Sequence, residues 1–244
     1  MKQLIIRLCT MIFGLFLYAL GIVVTIRANI GYAPWDVLHV GISKTTNGIL
    51  SIGTVSILTG LFIIVIIGIF GERPGLGTLL NMLLIGIFID IVLKVDIIPK
   101  GTEIIVKEIF NKKIDGYIAG SIMLIVGLFI IAFGSYFYIK TAFGAGPRDS
   151  LMVVVAKKTK IPVGICRSAI ELLAILGGWL LGGMVGIGTV LSAIGIGFCV
   201  QITFKIMKFD VTAVKHESLL QTFQKMRNHG KIFYSKKGAG QDKN

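Results

Sequence analysis

Six runs of about 20 residues, roughly 8–26, 49–70, 76–95, 117–139, 162–183 and 185–206, are apolar and nearly free of charge. A helix of that length rises through the roughly 30 Å hydrocarbon layer of a bilayer. Lipid offers no hydrogen bonds, so a spanning segment must satisfy its own backbone, which a helix does within itself. The sequence therefore predicts an all-α integral membrane protein with six transmembrane helices. Composition agrees, with 55% apolar and only 15% charged residues, against roughly 45–50% and 25% in soluble domains. Lys2 and Arg7 precede an apolar stretch, as in a signal peptide, but no small-x-small cleavage site follows, so the first run is expected to stay as a span.

The formal charge of +13 would suit a nucleic-acid partner if it lined one face. Instead the Lys and Arg residues lie between the apolar runs and in the tail, which makes them a topology signal and argues against nucleic acid. With the N-terminus in the cytoplasm, Lys2, Arg7, Arg73, the cluster from Lys140 to Lys160 and the tail fall inside, whereas Arg27, Lys44 and part of the 94–113 loop fall outside. The expectation is a multi-pass protein of a bacterial cell membrane with both termini cytoplasmic. Cys9, Cys166 and Cys199 lie in apolar stretches without a CxxC spacing and read as packing residues.

An internal repeat organises the chain. Shifted by 113, residues 14–44 match residues 127–157 at 12 of 31 positions, among them Gly31/Gly144, Pro34/Pro147 and Asp36/Asp149. Shifted by 111, "GLGTLLNMLLIGIFIDIVLK" (75–94) meets "GIGTVLSAIGIGFCVQITFK" (186–205). Each half is one three-helix unit. An odd number of crossings puts the two copies in opposite orientation, so the fold expected is two inverted-topology three-helix repeats, each with a short extra helix after its first span. The boundaries are 1–95 for the first repeat, 96–116 for a connecting loop, 117–207 for the second repeat and 208–244 for a basic cytoplasmic tail.

The short helices follow "GYAPWD" (31–36) and "GAGPRD" (144–149). Gly31 and Gly144 supply backbone freedom for a turn. Pro34 and Pro147 suit a first helical turn, and Asp36 and Asp149 can accept its orphan amides and complement its dipole. Capping alone accounts for these residue types; the sharper reading is a broken-helix site lined by both turns, which adds Arg148 to the candidates. On 35–45 the polar Asp36, His39, Ser43 and Lys44 oppose Trp35, Leu38 and Ile42, predicting a helix at the membrane surface. The "LMVVVA" core of 148–158 predicts a helix buried all round.

The paired Gly-x-x-Pro-x-Asp turns, each in a three-helix half ending in a GxGT-led helix, resemble the YczE branch of the YczE/YyaS/YitT membrane-protein family over residues 7–207. The resemblance implies the fold and little mechanism. YitT-type relatives carry a soluble C-terminal domain, and the polar 208–244 tail departs from that pattern.

"GLGT" and "GIGT" lack the preceding strand and the third glycine of a dinucleotide fingerprint, and read as close helix packing. There is no Walker loop, HExxH or GxSxG. His39, His216 and His229 are too scattered for a metal cage and are expected at the surface, so neither a metal nor a cofactor is implied. Asp90 is placed to pair with Lys94 at i+4. Arg167 and Glu171, four apart on the fifth span, are either an intrahelical pair or part of a solute path; the first half has Thr54 and Leu58 at the approximately aligned places, so charge here breaks the repeat. Two function classes follow. The first is a secondary transporter or permease for a small solute, its site built from Arg167, Glu171, Asp36, Asp149 and Arg148. The second is a membrane scaffold or regulator whose basic tail binds a protein or anionic lipid. An enzyme ranks behind both, because no nucleophile, metal set or acid/base pair stands at a defined spacing.

Overall fold

The computed structural model describes residues 2–72, 74–96, 116–210 and 214. The 97–115 connection, Arg73, His216, His229 and most of the basic tail lie outside the described residues. The described chain is helical, with α1 (Lys2–Arg27), α2 (Pro34–Thr45), α3 (Ile52–Ile69), α4 (Leu76–Val95), α5 (Gly116–Ile139), α6 (Pro147–Thr159), α7 (Val163–Leu180) and α8 (Ile187–Ile206). Six of these, all but α2 and α6, are long and apolar enough to cross a membrane. The first span starts at Lys2 rather than near residue 8; the other spans agree with the sequence boundaries to within about three residues. Shifted by 111, the bounds of α3 become those of α7, and those of α4 become those of α8.

Antiparallel α1 and α5 form the centre. Four glycines bring their backbones together: a Cβ on Gly14 would sit 2.9 Å from the Gly134 carbonyl oxygen, one on Gly134 2.8 Å from that of Gly14, one on Gly21 2.8 Å from that of Gly127, and one on Gly127 3.1 Å from that of Gly21. Helices in lipid associate through such close packing, because lipid tails are as apolar as leucine. Leu15, Val23, Leu124 and, on α4, Ile89 are fully enclosed around this seam. Burial reaches 56% of the apolar window of α5 but only 17% of that of α7, which makes α7 the most peripheral span.

Each Gly-x-x-Pro-x-Asp turn is gripped by the GxGT of the other half. Gly188 N–H donates to Ile30 O and Gly77 N–H donates to Phe143 O, both at 2.8 Å. Thr78 Oγ1 adds a 2.6 Å bond to Ala145 O. Gly31 (φ 116°) and Gly144 (φ 135°) have backbone angles that favour glycine. A Cβ on Gly31 would also lie 2.7 Å from Gly186 N. "GLGT" and "GIGT" are therefore packing devices as expected, but what they pack is the opposite turn.

Three local expectations are corrected. α2 is no surface helix, because Asp36 and His39 are 3% and 0% exposed and its polar face turns into the bundle. α6 is not buried all round, since Val153 is 42% exposed while Met152 and Val154 are covered. Asp90 accepts bonds from Ser51 Oγ (2.5 Å) and Gly53 N–H (2.9 Å), which tie α4 to the start of α3 in place of the i+4 pair with Lys94. Of the cysteines, Cys166 and Cys199 are buried as packing residues, whereas Cys9 is exposed.

Candidate functional site

Pro34 and Pro147 occupy the first turns of α2 and α6. Proline there costs no hydrogen bond, since the first four helical amides have no intrahelical acceptor. Asp36 and Asp149 follow in the same turns, and α2 has no side-chain cap. Asp36 Oδ1 is buried without a hydrogen-bond partner among the described residues, so this oxygen makes no capping bond.

The two first turns meet. The Arg148 guanidinium lies over the Trp35 ring at 4.9 Å from its centroid, and Arg148 Nη2 is 3.4 Å from His39 Nε2. Trp35 and Arg148 are equivalent positions of the repeat, so the copies touch through the same site. Guanidinium can only donate, which makes His39 Nε2 the acceptor and leaves the ring proton on Nδ1. His39 Nδ1 faces Asp36 Oδ1 at 3.7 Å, beyond hydrogen-bond reach, and neither atom has another hydrogen-bond partner. A line of Asp36, His39 and Arg148 thus runs from dry interior toward open space.

That space is a cavity of about 60 Å³ lined by Tyr18, Ser56, Asn81, Tyr138, Arg148 and Asp149. Such a volume holds several waters or the polar end of a small solute. Five helices supply the six side chains: α1, α3, α4, α5 and, twice, α6. Tyr138 Oη donates to Asp149 Oδ2 at 3.4 Å, and the Tyr18 and Tyr138 rings meet edge-on with centroids 6.3 Å apart.

Arg167 Nε donates to Glu171 Oε1 at 2.8 Å, the intrahelical pair that the spacing allows. Neither Arg167 nor Glu171 lines the cavity, although Arg167 lies within electrostatic reach of Asp149. The helix bounds set the repeat register here at 111, which aligns Arg167 and Glu171 with Ser56 and Gly60 rather than with Thr54 and Leu58. Ser56 and Gly60 line the cavity.

Of the sequence candidates, Arg148 and Asp149 line the cavity with Tyr18, Asp36 lies behind His39, and Arg167 and Glu171 pair with each other on α7. Sequence reasoning passed over Tyr18, Tyr138, Asn81, Trp35 and His39. Asn81 carried a signal, a lone amide inside an apolar run. So did His39, one helical turn beyond Asp36; it is not at the surface, because α2 buries its polar face.

The model of the Family of unknown function (DUF6198) matches residues 5–205. An uncharacterized protein of Haemophilus influenzae is 34% identical over 197 residues, covering 81% of this chain and 83% of the relative. The uncharacterized membrane protein YczE of Bacillus subtilis is 33% identical over 205 residues, covering 82% and 86%. YyaS of the same organism is 28% identical over 180 residues, covering 73% and 83%. No solved structure matches the chain. With the family model spanning all six apolar helices and a named membrane protein among the relatives, the chain belongs to the DUF6198 family of membrane proteins, in the YczE/YyaS group.

Proposed function

We propose that the protein is a secondary transporter or permease for a small polar solute, with its site between two inverted repeats. The observation that carries this is the meeting of Arg148 with His39 and Trp35 beside a cavity that also holds Asp149, Tyr18 and Asn81. Broken or short helices whose positive ends converge on a polar cavity are the usual construction of solute sites in inverted-repeat transporters.

Reciprocal contacts support the inverted arrangement. Gly14 meets Gly134 as Gly127 meets Gly21, and "GIGT" grips the first turn as "GLGT" grips the second. Contacts in which each copy uses the same pair of positions are those a two-fold axis generates. The Lys and Arg distribution supports cytoplasmic termini in a bacterial cell membrane. Asp36 then belongs to the outer half and Asp149 to the inner half.

The reading is tested by screening metabolite-sized solutes for those that raise the melting temperature of the purified protein, then measuring uptake of the hits into proteoliposomes. A ligand at 100 times its Kd stabilises by about 2.7 kcal/mol. Such a shift should vanish in Arg148→Leu and Asp149→Asn. Hits that bind both variants undiminished, or that are never taken up, would sink the proposal.

A further inference from the structure

The two halves differ at one seam. Gly53 of α3 and Gly86 of α4 interlock so tightly that a Cβ on Gly53 would overlap the Gly86 carbonyl oxygen, and one on Gly86 would lie 2.5 Å from that of Gly53. Asp90 fastens this seam through Ser51 Oγ and Gly53 N–H. Their equivalents 111 residues on are Gly164 of α7, Gly197 of α8 and Gln201. Among the described residues nothing lies within 4 Å of a Cβ on Gly164 or on Gly197, and α7 and α8 scarcely touch. Gln201 is exposed and makes no hydrogen bond among the described residues. Gly164 is the second residue of α7, as Gly53 is of α3, so its N–H is among those no intrahelical carbonyl reaches. A glycine pair, an amide acceptor and an orphan N–H thus stand in the pattern of a closed seam that is open.

We infer that the protein has a second conformation in which α7 closes on α8, Gly164 and Gly197 interlock, Gln201 Oε1 accepts the Gly164 N–H, and the Asp90 latch between α3 and α4 releases. This rests on the inverted-repeat reading and adds the movement that exposes the site from alternate sides. Closure also accounts for the charges that break the repeat. Arg167 and Glu171 would take the places that Ser56 and Gly60 hold beside the cavity, bringing charge to a solute only when the second half is shut. The two seams lie toward opposite membrane faces, because Gly53 and Asp90 sit at the end of the bundle where Arg27 meets Asp96, whereas Gly164 starts the helix leaving the opposite end. Exchanging one closed seam for the other is alternating access about a fixed site.

The test is a cross-link in native membranes. In a chain with Cys9, Cys166 and Cys199 replaced by serine, Gly164→Cys and Gly197→Cys are oxidised. A disulfide needs Cβ atoms about 3.8 Å apart, which the open seam does not provide. An intramolecular bond should form, its yield rising several-fold with Asp90→Ala and falling with Gln201→Leu. No intramolecular bond, a yield indifferent to Asp90→Ala, or a bond only between two chains would overturn the inference; the last would make the groove a dimer seam. Gly197→Trp separates this from transport. The bulky ring fits the open seam and blocks the closed one, so uptake of a solute identified by the screen should stop while the melting temperature holds. If the cross-link forms and responds to Asp90→Ala yet Gly197→Trp leaves uptake unchanged, the closure stands and the transport reading fails.

Discussion

The first turns of α2 and α6 carry the same Pro-x-Asp start, yet Asp36 is 3% exposed whereas Asp149 faces open space. Their neighbours explain the difference. α2 lies backbone to backbone on α7, with a Cβ on Gly41 only 2.5 Å from the Gly178 carbonyl oxygen. The equivalent of Gly41 in α6 is Val154, whose branched side chain seats on Ile63 and Ile67 and holds α6 one side chain away from α3. One residue of the repeat, glycine against valine, decides how deep each copy sinks. The buried copy holds His39 against the partner turn, and the raised copy offers Arg148 and Asp149 to the cavity. The same Pro-x-Asp start thus yields one buried carboxylate and one exposed carboxylate.

The most damaging way to erase this difference is Gly41→Val, which gives α2 the spacer that α6 has. Its Cβ would collide with backbone that cannot swing aside, so the loss of stability should reach about 3 kcal/mol. Unfolding titrations in mixed detergent would read it. A variant as stable as the parent would show that the close approach of α2 to α7 is not what buries Asp36. Val154→Gly in α6 serves as the reverse exchange and should cost about 1–3 kcal/mol through lost packing on Ile63 and Ile67.

Next in size is Arg148→Leu, which strips the donor from His39 Nε2 and the cation from the Trp35 ring. A buried acceptor left unmatched costs about 1–3 kcal/mol, and a guanidinium over an aromatic face contributes roughly 0.5–2 kcal/mol. Arg148→Lys should recover the ring contact but not the orientation of a planar fork, so the variant should melt near the parent yet bind a ligand poorly. Full ligand binding by Arg148→Lys would show that only the positive charge of the α6 turn is used.

How far the sequence could be read follows from the same two helices. Six candidate spans were legible, five of them to within about three residues at both ends, because a run of twenty apolar residues must satisfy its own backbone in lipid. The repeat was legible because Gly, Pro and Asp are not interchangeable with membrane filler. Of the five charged candidates, Arg148 and Asp149 line the cavity; they stood out in the sequence because charge in a membrane needs a reason. The orientation of α2 was not, since its amphipathic pattern is equally that of a surface helix and of one turned inward. Which outcome holds depends on Gly41 and Gly178, whose meeting is a long-range fact absent from the local pattern. Tyr18 and Tyr138 were hidden for a related reason, being aromatic bodies whose hydroxyls become informative only once α1, α5 and α6 are assembled.

Asp36→Asn and Asp149→Asn sharpen the comparison with smaller effects. Asp36 Oδ1 has no hydrogen-bond partner in a dry setting, so removing the negative charge relieves desolvation as much as it weakens contact with His39. Stability should stay within about 1 kcal/mol of the parent, whereas a capping role would cost about that much on going to alanine and be rescued by asparagine. Asp149→Asn keeps an oxygen that can accept from Tyr138 Oη, so stability should stay within about 1 kcal/mol of the parent, while the ligand-induced rise in melting temperature is abolished. If Asp36→Asn abolishes that response and Asp149→Asn does not, the proposed site lies at the first turn rather than the second.

The smallest effect separates the two turns most finely. Arg167 lies within electrostatic reach of Asp149, and its side chain is 46% exposed, as is 15% of that of Glu171. Removing both members of the pair strands neither charge, so Arg167→Leu with Glu171→Leu should leave the melting temperature almost unchanged. A double-mutant cycle of Arg167→Leu with Asp149→Asn should show coupling in ligand binding, because both groups would act on one solute. The matching cycle with Asp36→Asn should be additive, since Asp36 is walled off behind His39 and Arg148. Coupling of equal size in both cycles would mean that the solute site reaches past Arg148 into the first turn, and that burial of Asp36 does not set it apart from Asp149.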